Sequence, residues 1–183
     1  MRNGNRSPGG VDNAGSVAIL LELARVLPDE LPEDVELLVL STGAEEDHMV
    51  GAMRWLDTHA HEYDKNTCYC LNFDGAGAPG RIVLIERFGF GRLFSAAIST
   101  AARRAAGRLG LPLRGILMLP AMGIDAIPFA RRNLPCLTLS SGSLDRATMS
   151  VHSARDVAEH LDADTLADVT NLAVETLKDL AEA

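Results

Sequence analysis

Along most of the chain, short runs that are apolar at successive positions alternate with longer segments whose apolar residues recur at helical spacing. A strand that is apolar at every position has both faces covered, whereas a strand in a one-sided sheet alternates apolar with polar. The pattern therefore predicts an α/β fold, with a mostly parallel, mixed central sheet and helices on both faces. Helices are predicted over 13–27, 48–61, 90–108 and 161–181. The first of these presents Val17, Leu20, Leu21 and Ala24 as a stripe and ends before Pro28. Strands are predicted over 35–40, 67–73, 81–86 and 135–139. The 35–40 run lies between an acidic turn and Ser41-Thr42-Gly43 and reads as buried on both faces. The first ten residues have no periodicity and read as a loop or frayed end.

A chain of 183 residues that is 47% hydrophobic fills one core, so 1–183 is expected to be a single domain. Its formal net charge of -8 excludes a nucleic-acid partner, because phosphate binding needs a surplus of Lys and Arg. No run reaches the roughly 18 apolar residues a spanning helix needs, and no hydrophobic leader core opens the chain, so no membrane partner is expected. The three cysteines are too few and odd in number for a disulfide framework, which makes a cytoplasmic location with reduced thiols the expectation. Cys68 and Cys70 alternate within an apolar run and read as strand residues rather than a ligand pair.

Sheets of this kind place their chemistry beyond the carboxyl ends of the strands. Glu45 and Glu46 follow one predicted strand, Asp74 follows another, Asp12 precedes a helix, and His152 lies in the loop before the last helix. Each has a plain structural reading. Asp12, with Asn13 beside it, suits a helix cap; the glutamate pair suits an exposed helix start; Asp74 suits a turn with Gly75. Taken together they make hard carboxylates plus imidazole at one end of a sheet, the ligand set zinc prefers. Two adjacent glutamates then divide the work: one coordinates metal while the other moves a proton.

The segments Gly10-Val11-Asp12-Asn13-Ala14-Gly15, Gly43-Ala44-Glu45-Glu46, Asn72-Phe73-Asp74 and Ser150-Val151-His152-Ser153 resemble, in order and spacing, the motifs of the two-zinc aminopeptidase family. The resemblance implies that Asp12 bridges two metals, that Glu45 is the general base, that Glu46 and His152 bind one zinc, and that Asp74 binds the other. It implies hydrolysis of peptides with a free N-terminus by zinc-bound hydroxide, and it sets the Asp125-Ala126-Ile127-Pro128-Phe129 segment at the border of the substrate pocket. Three departures qualify the match. The twelve residues through Asp12 hold no histidine where the family has His-x-Asp, Val151 stands where some relatives have tyrosine, and His48 replaces a glycine. The expectation is a chain lacking the family's N-terminal strands, holding one zinc or fewer tightly, with an open sheet edge that self-association into a homo-oligomer can cover. His48 is a surface residue or a replacement ligand on this reading. Two alternatives remain: a glutaminyl-cyclase-like single-zinc transferase, and an inactive scaffold.

Overall fold

In a computed structural model of the chain, the structure describes residues 7–118, 123–142 and 150–182. The predicted loop at the start of the chain lies partly outside these residues. The central sheet is mixed and five-stranded, with β1 (Cys70–Phe73), β5 (Cys136–Ser141), β2 (Ile82–Phe88) and β3 (Arg92–Leu93) in that order and β4 (Leu113–Met118) pairing with β2. β1 runs parallel to β5, and β2 runs parallel to β4 but antiparallel to β5 and β3. Helices α1 (Gly15–Glu30), α2 (Val50–His59), α3 (Ala96–Leu109), α4 (Ala126–Arg131) and α5 (Ala163–Ala181) cover it.

The alternation of side chains along a strand divides the core in two. Ile82 and Leu84 of β2 join Leu137 and Leu139 of β5 against α1, α3 and α5. Val83, Ile85 and Cys136 face the other way, against Leu56 of α2 and Phe129 of α4. All four of Ile82, Val83, Leu84 and Ile85 are buried, as a strand covered on both faces requires. Small residues let α3 sit close: Ala101, Ala102, Ala105 and Ala106 are buried where α3 meets the sheet and α5. Arg108 at the exposed end of α3 binds Asp179 and Glu175 of α5.

Several expectations are corrected. The 35–40 run is not a buried strand: it forms no ladder with any of the described residues, and Leu38 and Val39 are 48% and 40% exposed. Only Leu37 and Leu40 pack, on opposite core clusters, so the run is extended but unpaired. The stripe on α1 is Ile19, Leu23 and Leu27, while Val17 and Leu21 face out. That helix is apolar nearly all round, so period alone does not fix its inward face. It also continues through Pro28 to Glu30, since a proline in the last turn forfeits a single backbone bond. The 90–108 helix starts at Ala96, because Gly89 and Gly91 turn the chain into β3 and the Ser95 hydroxyl accepts from the Ile98 amide as an N-cap. β4 was not expected. It is an edge strand interrupted by Arg114 and Gly115, so it lacks a long apolar run.

Candidate metal centre

Asp12 lies in a π-turn, Gly10–Ala14, that leads into α1. The residue capping α1 is Ala14, with no side-chain cap bond, so neither Asp12 nor Asn13 is spent as a cap. Asn13 instead reaches the end of β1. Its Nδ2 donates to the Phe73 carbonyl at 3.2 Å and its Oδ1 accepts from the Gly75 amide at 3.2 Å. These two bonds bracket Asp74, whose own amide donates to Leu139 O at 3.2 Å.

The Glu45-Glu46 pair sits in a tight loop closed by Met49 N to Glu45 O at 2.7 Å and Gly51 N to Gly43 O at 3.0 Å. A Cβ on Gly51 would lie 2.1 Å from the Gly43 carbonyl oxygen, so only glycine lets the loop close. Ala44 in this loop and His152 in its own are left-handed, with φ of 56° and 61°, a conformation uncommon outside glycine and concentrated at functional sites.

These loops bring Asp12, Glu46 and His152 together, with one ligand atom from each within 4.8 Å of the others. His152 Nε2 is 3.1 Å from Asp12 Oδ2 and also contacts Glu46 Oε1. Beside them opens a cavity of about 310 Å³, with Asp12, Glu45, Glu46, Asp74 and Asp125 all in its wall. The carboxyls feel one another there. Desolvation, then Glu46, raises the Glu45 pKa to about 7. Desolvation, followed by Asp12 and Glu45, raises Asp74 to about 8. Asp12 is raised by burial and then by Glu46, against the opposing pull of His152. Two carboxylates and an imidazole converging in a field that a cation would relieve fit a zinc ion with three protein ligands.

Asp74 shares the cavity and the field but stands outside the three-residue group, and among the described residues His48 belongs to no metal-ligating cluster; it is exposed, with φ of 58°. Asp125 goes beyond its sequence expectation as a border residue. Nine-tenths buried, it accepts from the Thr42 hydroxyl at Oδ2, while Oδ1 has no partner among the described residues. Asn13 carries a role that its position beside a helix start conceals. Cys70 and Cys136 pair across β1 and β5 with Cys136 Sγ donating to Ala126 O, and burial pushes the Cys70 thiol up to about 12. Cys70 is a strand thiol as expected, whereas Cys68, expected to share that strand, lies just before β1 and outside it.

Residues 2–177 match the family model for peptidase family M28. A vacuolar membrane protease of Schizosaccharomyces japonicus is 41% identical over 78 residues, which is 43% of this chain and 9% of that protein. The fold is similar to that of an aminopeptidase from Aneurinibacillus sp. strain AM-1, with a TM-score of 0.79 and 22% identity over 93% of this chain and 39% of the other. It is also similar to a zinc aminopeptidase from Bacillus subtilis, at 0.77 and 22% over 93% and 42%. A glutaminyl cyclase from Porphyromonas gingivalis has a TM-score of 0.63 at 21% identity, over 96% of this chain and 66% of that one. The chain thus spans less than half the length of the aminopeptidases it resembles in fold. With residues 2–177 matched by the family model, the chain belongs to peptidase family M28.

Proposed function

We propose that the chain carries the catalytic core of an aminopeptidase that releases residues from peptides with a free N-terminus. The observation that carries this reading is the convergence of Asp12, Glu46 and His152 beside a cavity that Asp12, Glu46 and the neighbouring carboxyl Glu45 line, with Glu45 outside the converging group. Asp12, Glu46 and His152 would hold one zinc, leaving a fourth position open. Bound zinc supplies Lewis acidity, lowering the pKa of water and polarising the scissile carbonyl. Glu45, with a pKa near 7, takes the proton from the attacking water and returns it to the leaving amine. Asp12 and Asp74 alone, two carboxylates without imidazole, bind a second metal weakly. Asp74 and Asp125 share the crowded carboxyl field of the cavity, which a cationic peptide amino terminus would relieve, and this favours a free N-terminus over an internal segment.

The zinc-supplemented chain is assayed on a short apolar peptide, on its N-acetylated form, and on an N-terminal glutaminyl peptide. The reading expects amino-acid release from the free peptide and none from the acetylated one. Cleavage of both forms contradicts the requirement for a free amine, and ammonia release without amino-acid release from the glutaminyl peptide replaces hydrolysis with the cyclase-like reaction.

A further inference from the structure

Asp156 is fully buried, four residues beyond His152, and nothing in the preceding reading uses it. A carboxyl group so placed has its acceptors satisfied inside the protein or costs stability. Both of its oxygens are taken by the loop that carries Asp12. Oδ1 accepts from the Val11 amide at 2.7 Å and Oδ2 from the Asp12 amide at 3.2 Å. The Asp156 main-chain carbonyl accepts from the Gly10 amide at 3.0 Å, so three consecutive amides of the π-turn bond to one residue. On its other side the Asp156 amide donates to the Ser153 carbonyl at 3.1 Å, tying it into the turn that presents His152. The two loops are in close contact as well. A Cβ on Gly10 would lie 2.5 Å from the carbonyl carbon and oxygen of Val157.

We infer that Asp156 is a positioning residue for the metal centre: it locks the Asp12 loop to the His152 loop, so that two of the three converging ligands are set as one unit before metal arrives. These ligands lie 140 positions apart in the chain, and no side chain among the described residues other than Asp156 hydrogen-bonds to the Val11 or Asp12 amide. Outer groups that orient ligands change metal affinity by roughly 10- to 100-fold when altered. Asp156 hydrogen-bonds main-chain amides rather than a ligand side chain, and it lies outside the lining of the cavity. The inference rests on the zinc site proposed above.

Asp156→Asn is close in size but replaces one acceptor oxygen with an NH2 group, which cannot accept from the second amide. Zinc affinity is measured by competition with a chromophoric chelator, at a temperature where wild type and variant are both folded, and the visible spectrum of each is recorded after cobalt substitution. The expected result is a loss of zinc affinity of about 10-fold or more with an altered cobalt spectrum. A variant that melts earlier yet keeps wild-type zinc affinity and an unchanged cobalt spectrum makes Asp156 a purely structural residue and overturns the inference. If the variant does not fold, amide exchange in the metal-free wild-type chain decides instead. Val11 and Asp12 amides protected like those of β2 support the lock, and exchange at open-loop rates rejects it. The same exchange measurement separates this inference from the proposed function, because a wild-type chain that bound no zinc would remove the function and leave amide protection to be read.

Discussion

At the scale of single residues, what decides the site is which polar groups are taken up by the backbone and which are left for chemistry. Asn13 is taken up: its side chain spans Phe73 O and Gly75 N and holds the chain on either side of Asp74. Asn13→Ala removes both bonds and leaves the partly buried Phe73 carbonyl and Gly75 amide to find other partners, at about 1–3 kcal/mol. The expected outcome is a lower urea midpoint and weaker activity, with zinc at the Asp12, Glu46 and His152 site largely retained. Urea titration and elemental analysis check the two halves separately. That Asp12, Glu46 and His152 come together was legible in the sequence, because few residue types suit a zinc site and these three stand where loops end at one edge of the sheet. Asn13 and Asp156 were not, because their work is to bond main-chain groups about 60 and 145 positions away, which leaves no local pattern.

At the scale of elements, period and length identified α1, α2, α3 and α5 and the two inner strands β2 and β5, where burial on both faces imposes apolar residues in succession, but missed α4, whose six residues are too few to show a period. The same signal misled at 35–40. Val35, Leu37, Leu38, Val39 and Leu40 are as apolar as any inner strand, yet this run has no ladder partner among the described residues and leaves Leu38 and Val39 exposed. Composition reports an affinity for cover, and pairing depends on a neighbour lying alongside. Among the described residues the only main-chain bond from an amide of this run to another main-chain group is from Val35 to Pro32, so amides 36–40 are expected to exchange with solvent at open-loop rates while those of β2 and β5 are protected. Hydrogen exchange read by mass spectrometry tests this. Protection at 36–40 equal to that of β2 in a monomeric sample would show the run to be paired. Loss of exchange only at high protein concentration would show that a second copy covers it.

At the scale of the whole molecule, the acidic cavity links fold stability to proton and metal concentration. Glu45 and Asp74 have folded pKa values raised to about 7 and about 8, and Asp12 is raised as well. The folded, metal-free chain therefore binds more protons than the unfolded chain between the ordinary carboxyl range and about pH 8. Stability contributed by these groups is fully present below their unfolded pKa and is lost as pH rises through the folded values. Metal-free protein is expected to melt several degrees lower at about pH 8.5 than at about pH 5. Zinc that binds only the folded chain raises the melting temperature by mass action, and it does so more at the higher pH, where it meets no competing protons. A metal-free melting temperature that rises between these two pH values would contradict the electrostatic account.

Whether Glu46 holds metal while its neighbour Glu45 moves the proton is decided by zinc content per folded chain in Glu45→Gln and Glu46→Gln, measured by elemental analysis after gel filtration. The account predicts near one zinc in wild type and in Glu45→Gln, with any peptidase activity abolished in the latter, and most of the zinc lost in Glu46→Gln. Equal zinc loss in both variants, or two tightly held zincs in the wild-type chain, would contradict it.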